Sequence, residues 1–157
     1  MLFRSLGIGQ VYVTGHSLGG AAAQAYMAGH PNDAGTRYAA VVFGSMGLSG
    51  GDGDYAADAR VLSLVSPSDY ATSIGTQTAG LTVSFSDGTG SLSSGLDLSA
   101  LLTDPSSFLT AHGTSVYLTA AADYDAAKAG IPSTETTTFF TSTVTLGGLT
   151  LTVSPLG

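Results

Sequence analysis

Apolar residues fall into short unbroken runs through the first half of the chain and into alternating runs after it. Val11-Tyr12-Val13-Thr14 is β-branched and aromatic, with Gly7 and Gly9 before it and Gly15 after it. This predicts a buried strand. Leu18 to Ala28 is rich in Ala, with Gln24 and Met27, and predicts a helix that Gly29-His30-Pro31-Asn32 stops. Tyr38 to Phe43 and Arg60 to Val65 predict two further buried strands, joined by a Gly- and Asp-rich loop from Gly44 to Asp58. Ser66-Pro67-Ser68-Asp69 ends the third strand. Runs that are continuously apolar suit a parallel sheet covered on both faces.

Beyond Thr76 the pattern changes. Leu81 to Phe85 alternates and is followed by the turn signal Asp87-Gly88-Thr89-Gly90, which suggests a β-hairpin. Leu98 to Leu109 suggests a short helix over a loop, and Thr114 to Ala129 a longer helix ended by Gly130-Ile131-Pro132. The Thr-rich segment Thr136 to Val153 alternates around Gly147-Gly148 and reads as a hairpin. The expected class is α/β, a short parallel sheet with flanking helices and a C-terminal part rich in β-hairpins. We expect one main domain over residues 1–132 and a hairpin tail over 133–157, leading toward a further region.

Composition narrows the possible partners. The 157 residues hold 4 Lys+Arg against 11 Asp+Glu, a formal charge of −7. That opposes phosphate binding and hence nucleic acid, and gives no basic handle for anionic lipid. The absence of cysteine excludes disulfides and thiolate chemistry. Charged residues make up only 10%, against about 25% in ordinary soluble domains; Gly, Ser, Thr and Ala replace them. This is similar to the composition of secreted bacterial enzymes, so an extracellular location is expected. Met1 to Gln10 lacks the apolar core of a signal peptide. No run reaches the roughly 18–20 apolar residues that span a bilayer.

Gly15-His16-Ser17-Leu18-Gly19 carries the candidate chemistry. A strand runs in and a helix of small residues runs out, the context a nucleophile elbow requires. Ser17 would stand on a sharp, strained turn. Gly15 and Gly19 would let strand and helix approach, with Gly20 and Ala21 keeping the next turn narrow. The Leu18 amide, at the positive end of the helix, is the natural oxyanion-hole donor. The plainer reading of the same residues is a glycine-rich strand-to-helix turn without chemistry.

The longer string Val13-Thr14-Gly15-His16-Ser17-Leu18-Gly19-Gly20-Ala21 resembles the elbow of class 3 lipases, serine hydrolases of the α/β-hydrolase superfamily. Phe43-Gly44-Ser45 resembles that family's next strand end, although Met46 stands where a proline is common. Arg60 to Val65 with Asp69 resembles the strand that carries the acid, and His112 with Tyr117 its late histidine segment. The resemblance implies a lipase or carboxylesterase, with phospholipid, polyester or short acyl esters as alternative substrates and no cofactor. It also implies strands ahead of Val11 and a second oxyanion donor from a loop among them. An N-terminally truncated reading frame is therefore expected, and with it an exposed Val11 strand prone to self-association.

Within that fold the chain order is nucleophile, acid, histidine. His16 adjoins Ser17, and its side chain is expected to leave the elbow in another direction. His30 falls at the far end of the predicted helix, about 20 Å away at 1.5 Å per residue. His112, in the loop Thr110-Ala111-His112-Gly113, is the general-base candidate, against the plain alternative of a surface histidine. Asp69, just past the third strand, is the candidate acid; it could equally cap the following segment. Asp97 and Asp104 are rival acids. Asp52, Asp54 and Asp58 offer a weak calcium candidate that does not match an EF-hand, and a solvated loop explains them as well. An inactive hydrolase fragment acting only through interaction, or a β-rich adhesive module, would be the non-enzymatic alternatives.

Overall fold

A computed structural model of the chain describes residues 7–49, 55–85, 105–128, 140–146 and 149–153. Strand β1 (Gln10–His16) leads into helix α1 (Leu18–Gly29), then β2 (Arg37–Phe43) and β3 (Asp58–Val65). A 3-10 turn (Tyr70–Ser73) precedes β4 (Ala79–Phe85). Helices α2 (Pro105–Ala111) and α3 (Thr114–Lys128) follow, then β5 (Phe140–Leu146) and β6 (Leu149–Val153). The six strands form one sheet in sequence order, with β1 to β4 parallel and β5 and β6 antiparallel additions. The protein is thus α/β, with four parallel strands and flanking helices.

The continuous apolar runs are explained by burial on both faces. Ala40, Val42 and Val61 pack under Ala23 and Met27 of α1. Their chain neighbours point the other way, where Leu64 and Phe85 meet Tyr117 and Ala120 of α3, with Val41, Phe43 and Leu62 alongside. The period-two alternation of a strand thus supplies one core per face.

Buried Gln24 fastens α1 to the far side of the sheet edge. Its amide nitrogen donates to Ser45 Oγ at 2.8 Å and to the Met46 carbonyl at 3.1 Å, and its oxygen accepts from the Thr78 amide at 2.7 Å. A fully satisfied buried amide of this kind fixes one arrangement of the elements around it. At the C-terminal end of α1, Arg60 reaches across from β3 to the Met27 and His30 carbonyls at 2.8 and 2.7 Å. Its cation meets the negative end of the helix, where α1 has no basic residue of its own.

One expectation needs correcting. Leu81 to Phe85 is not one arm of a local hairpin: it is the fourth parallel strand, paired with β3 on one side and with β5 on the other. The turn signal at 87–90 lies outside the described residues. Of the segment Leu98 to Leu109, read as a short helix over a loop, residues 105–109 belong to α2 (Pro105–Ala111), and residues 98–104 lie outside the described residues. The strands of the tail hairpin form as expected, and they continue the same sheet. Among the described strands β1 lies at one edge of the sheet, and Tyr12 on it is 80% exposed.

Candidate active site

The carboxyl ends of β1, β2 and β3 bring the candidate residues to one edge of the sheet, the edge at which open parallel sheets hold their sites. Ser17 follows β1 directly. Its φ of 58° and ψ of −127° make it the one non-glycine with positive φ among the described residues. Such a backbone costs on the order of 1–3 kcal/mol and persists only where its surroundings impose it. Here they do. The Ser17 amide donates to the Phe43 carbonyl at 3.1 Å, and its carbonyl accepts from Gly20, Ala21 and Met46. A proline at position 46 would lack the last of these donors. Although Ser17 occupies the N-cap of α1, its hydroxyl makes no capping bond, unlike a serine in the usual extended cap geometry. Leu18 is the first helical residue, so α1 itself cannot satisfy its N–H.

The elbow glycines differ in their roles. A Cβ on Gly15 would run into the Gly19 carbonyl, and one on Gly20 would run into Ser45. A Cβ on Gly19 would meet open space: the strand approaches its carbonyl, and it is Gly20 rather than Gly19 whose missing side chain the packing requires.

Asp69 follows β3 and the bend Ser66-Pro67-Ser68, and it is buried. His112 lies in the turn between α2 and α3, where the Gly113 amide donates to the Thr110 carbonyl. His112 Nδ1 lies 3.0 and 2.9 Å from the two oxygens of Asp69. A carboxylate accepts, so Nδ1 carries the proton, and Nε2 is the nitrogen that can face a hydroxyl. Asp69 also caps the 3-10 turn through the Ala71 amide at 2.9 Å. The two roles considered for this residue therefore coexist.

Tyr117 completes the buried carboxylate's shell. Its hydroxyl donates to Asp69 Oδ2 at 2.5 Å and accepts from the Ser66 amide at 3.3 Å. Gly44, at φ 50°, leaves room for this pair: a Cβ there would lie 2.7 Å from Asp69 Oδ2 and 2.8 Å from the Tyr117 ring. His16 reaches the loop that carries His112. Its ring lies 4.6 Å from that of His112 and 5.6 Å from that of Tyr117, and its Nε2 is 2.9 Å from the His112 carbonyl. Strand alternation was the available signal: His16 pairs with Phe43, whose side chain lies on the α3 face of the sheet. The five-residue spacing of His112 and Tyr117 was the available signal for the tyrosine: it places His112 just before α3 and Tyr117 in its first turns.

The remaining candidates lie elsewhere. His30 stacks on Tyr26 at 3.8 Å at the far end of α1. Both oxygens of Asp58 are engaged by Arg60, at 2.9 and 2.6 Å. Asp52, Asp54, Asp97 and Asp104 lie outside the described residues. Among the described residues no group of three His, Asp or Glu side chains could hold a metal, and no helix is long and apolar enough to cross a membrane.

Family models, curated proteins and solved structures give no match to this chain.

Proposed function

We propose that the chain is a serine ester hydrolase of the α/β-hydrolase fold, similar to class 3 lipases, with Ser17, Asp69 and His112 as its triad. The observation that carries the reading is the Asp69 carboxylate bonded through both oxygens to His112 Nδ1, at the same sheet edge as the strained, non-capping Ser17. An orienting acid, a loop imidazole and a hydroxyl on an elbow are the parts that nucleophilic acyl transfer needs.

In this reading His112 Nε2 takes the Ser17 proton as Oγ attacks the ester carbonyl. The Leu18 amide stabilises the oxyanion, and Asp69 holds the imidazolium that forms. His112 returns the proton to the departing alkoxide, leaving an acyl-enzyme. Water, deprotonated by the same nitrogen, then releases the acid and restores the serine. No step requires a cofactor. Leu18, 70% exposed beside the nucleophile, favours an ester with an apolar acyl group, whether of lipid, phospholipid or polyester. The low charge content supports a secreted enzyme.

Hydrolysis of a p-nitrophenyl ester by the wild-type chain and by Ser17→Ala tests the proposal. Turnover should fall to background in the variant; wild-type turnover there would rule out the mechanism.

A further inference from the structure

We propose that His16 is a positioning residue that ties the His112 loop to the nucleophile elbow. The proposal rests on the hydrolase reading for its consequence, but its geometry stands separately. His16 adjoins Ser17 in the chain, and its Nε2 lies 2.9 Å from the His112 carbonyl oxygen. A carbonyl only accepts, so His16 Nε2 carries the proton.

The acceptor lies in the turn between two helices. Helix α2 ends at Ala111 and α3 begins at Thr114. The Val116 amide bonds to the Gly113 carbonyl, and the Gly113 amide bonds to Thr110. The His112 carbonyl precedes the first residue of α3. His16 supplies one from across 96 residues of sequence. Its ring is held between its two neighbours, tilted 34° against His112 and edge-on at 61° to Tyr117.

The base is thus held at two points. Asp69 fixes the imidazole through Nδ1, and His16 fixes the backbone from which that imidazole hangs. Because His16 is the residue before the nucleophile, any shift of the elbow carries the base loop with it. The distance between hydroxyl and base is kept by one hydrogen bond and one peptide unit. A base loop released by about 1 Å would lose much of its proton-transfer efficiency.

Three variants separate this role from packing: His16→Phe keeps a ring without a donor, His16→Gln keeps a donor without a ring, and His16→Ala keeps neither. The readouts are kcat and KM on p-nitrophenyl butyrate, and the NMR signal of the His112 Nδ1 proton in the full chain. In His16→Phe, kcat should fall about 10- to 100-fold with KM near the wild-type value. The Nδ1 proton should broaden or vanish. His16→Gln should recover most of both, and His16→Ala should match His16→Phe. Wild-type kcat and an unchanged Nδ1 signal in His16→Phe would overturn the proposal, as would a His16→Gln variant as impaired as His16→Ala. A wild-type chain that turns over no ester, yet whose Nδ1 proton depends on residue 16 in this way, would overturn the hydrolase reading and leave the tether standing.

Discussion

Tyr117 and Asp69 are joined inside the protein: the phenol donates to Oδ2 at 2.5 Å, and both side chains are buried. The same carboxylate receives His112 Nδ1 and the Ala71 amide, so four donor contacts converge on two oxygens. A carboxylate out of water needs such partners. Tyr117→Phe keeps the ring but removes one donor from Asp69 and the acceptor of the Ser66 amide. It should destabilise the fold by about 1–3 kcal/mol and reduce kcat. Urea unfolding beside ester kinetics checks this; an unchanged midpoint would mean the hydroxyl contributes nothing.

Gly44 and Gly19 should respond oppositely to alanine. At Gly44 a methyl group would press on Asp69 and Tyr117, on a backbone that already disfavours side chains. Gly44→Ala should cost about 1–3 kcal/mol and most of the activity. At Gly19 the space is open and the residue is helical, so Gly19→Ala should gain up to about 1 kcal/mol. Thermal melts of the pair decide it; equal losses would refute the division of roles around the elbow.

Ser17 combines strain with the proposed chemistry. Replacing it with glycine relieves the positive φ and removes the hydroxyl. Ser17→Gly should be inactive yet more stable by about 1 kcal/mol, the strain relieved less the entropy glycine adds to the unfolded chain. A less stable variant would show that the surroundings, rather than the serine side chain, set the conformational cost.

The legible parts of the protein were those whose signal is local. β1, α1, β2 and β3 each announce themselves as an apolar or Ala-rich run between breakers. The elbow is a short motif whose flanking elements can be read beside it. β4 misled because Thr82 and Ser84 interrupt its apolar residues. The structure supplies the reason: Thr82 pairs with Ser63 on the face that α1 covers over β1 to β3, and α1 does not extend the same cover to β4. Partial exposure of that face permits polar residues in a parallel strand. The His16 contact was hidden for another reason. Strand alternation puts His16 on the α3 face with Phe43, but its partner there is a loop carbonyl 96 residues away. That long-range pairing leaves no trace in the spacing of residue types.

Asp58 and Arg60 make a bidentate pair at the start of β3, from which Arg60 also caps α1. Burial pushes the Asp58 carboxyl up, but hydrogen bonds from the Arg60 side chain and amide, with its charge, more than offset this and leave it below its ordinary value. A lowered folded-state value means the carboxylate contributes stability above its unfolded value of about 3.9. That contribution is lost as pH falls through the lower, folded value. The wild type should therefore exceed Asp58→Asn by about 1 kcal/mol at neutral pH. The gap should narrow toward pH 3, roughly an ordinary carboxylate's range. Urea midpoints at the two pH values test it, and a gap that widens in acid would give the opposite sign.

The central claim, that the hydroxyl of Ser17 is activated by the imidazole of His112, is tested most directly by fluorophosphonate labelling followed by peptide mapping. The account predicts a single adduct on Ser17, formed far more slowly in His112→Ala and absent in Ser17→Ala. An adduct at another residue, no adduct at all, or an equal rate in His112→Ala would contradict it.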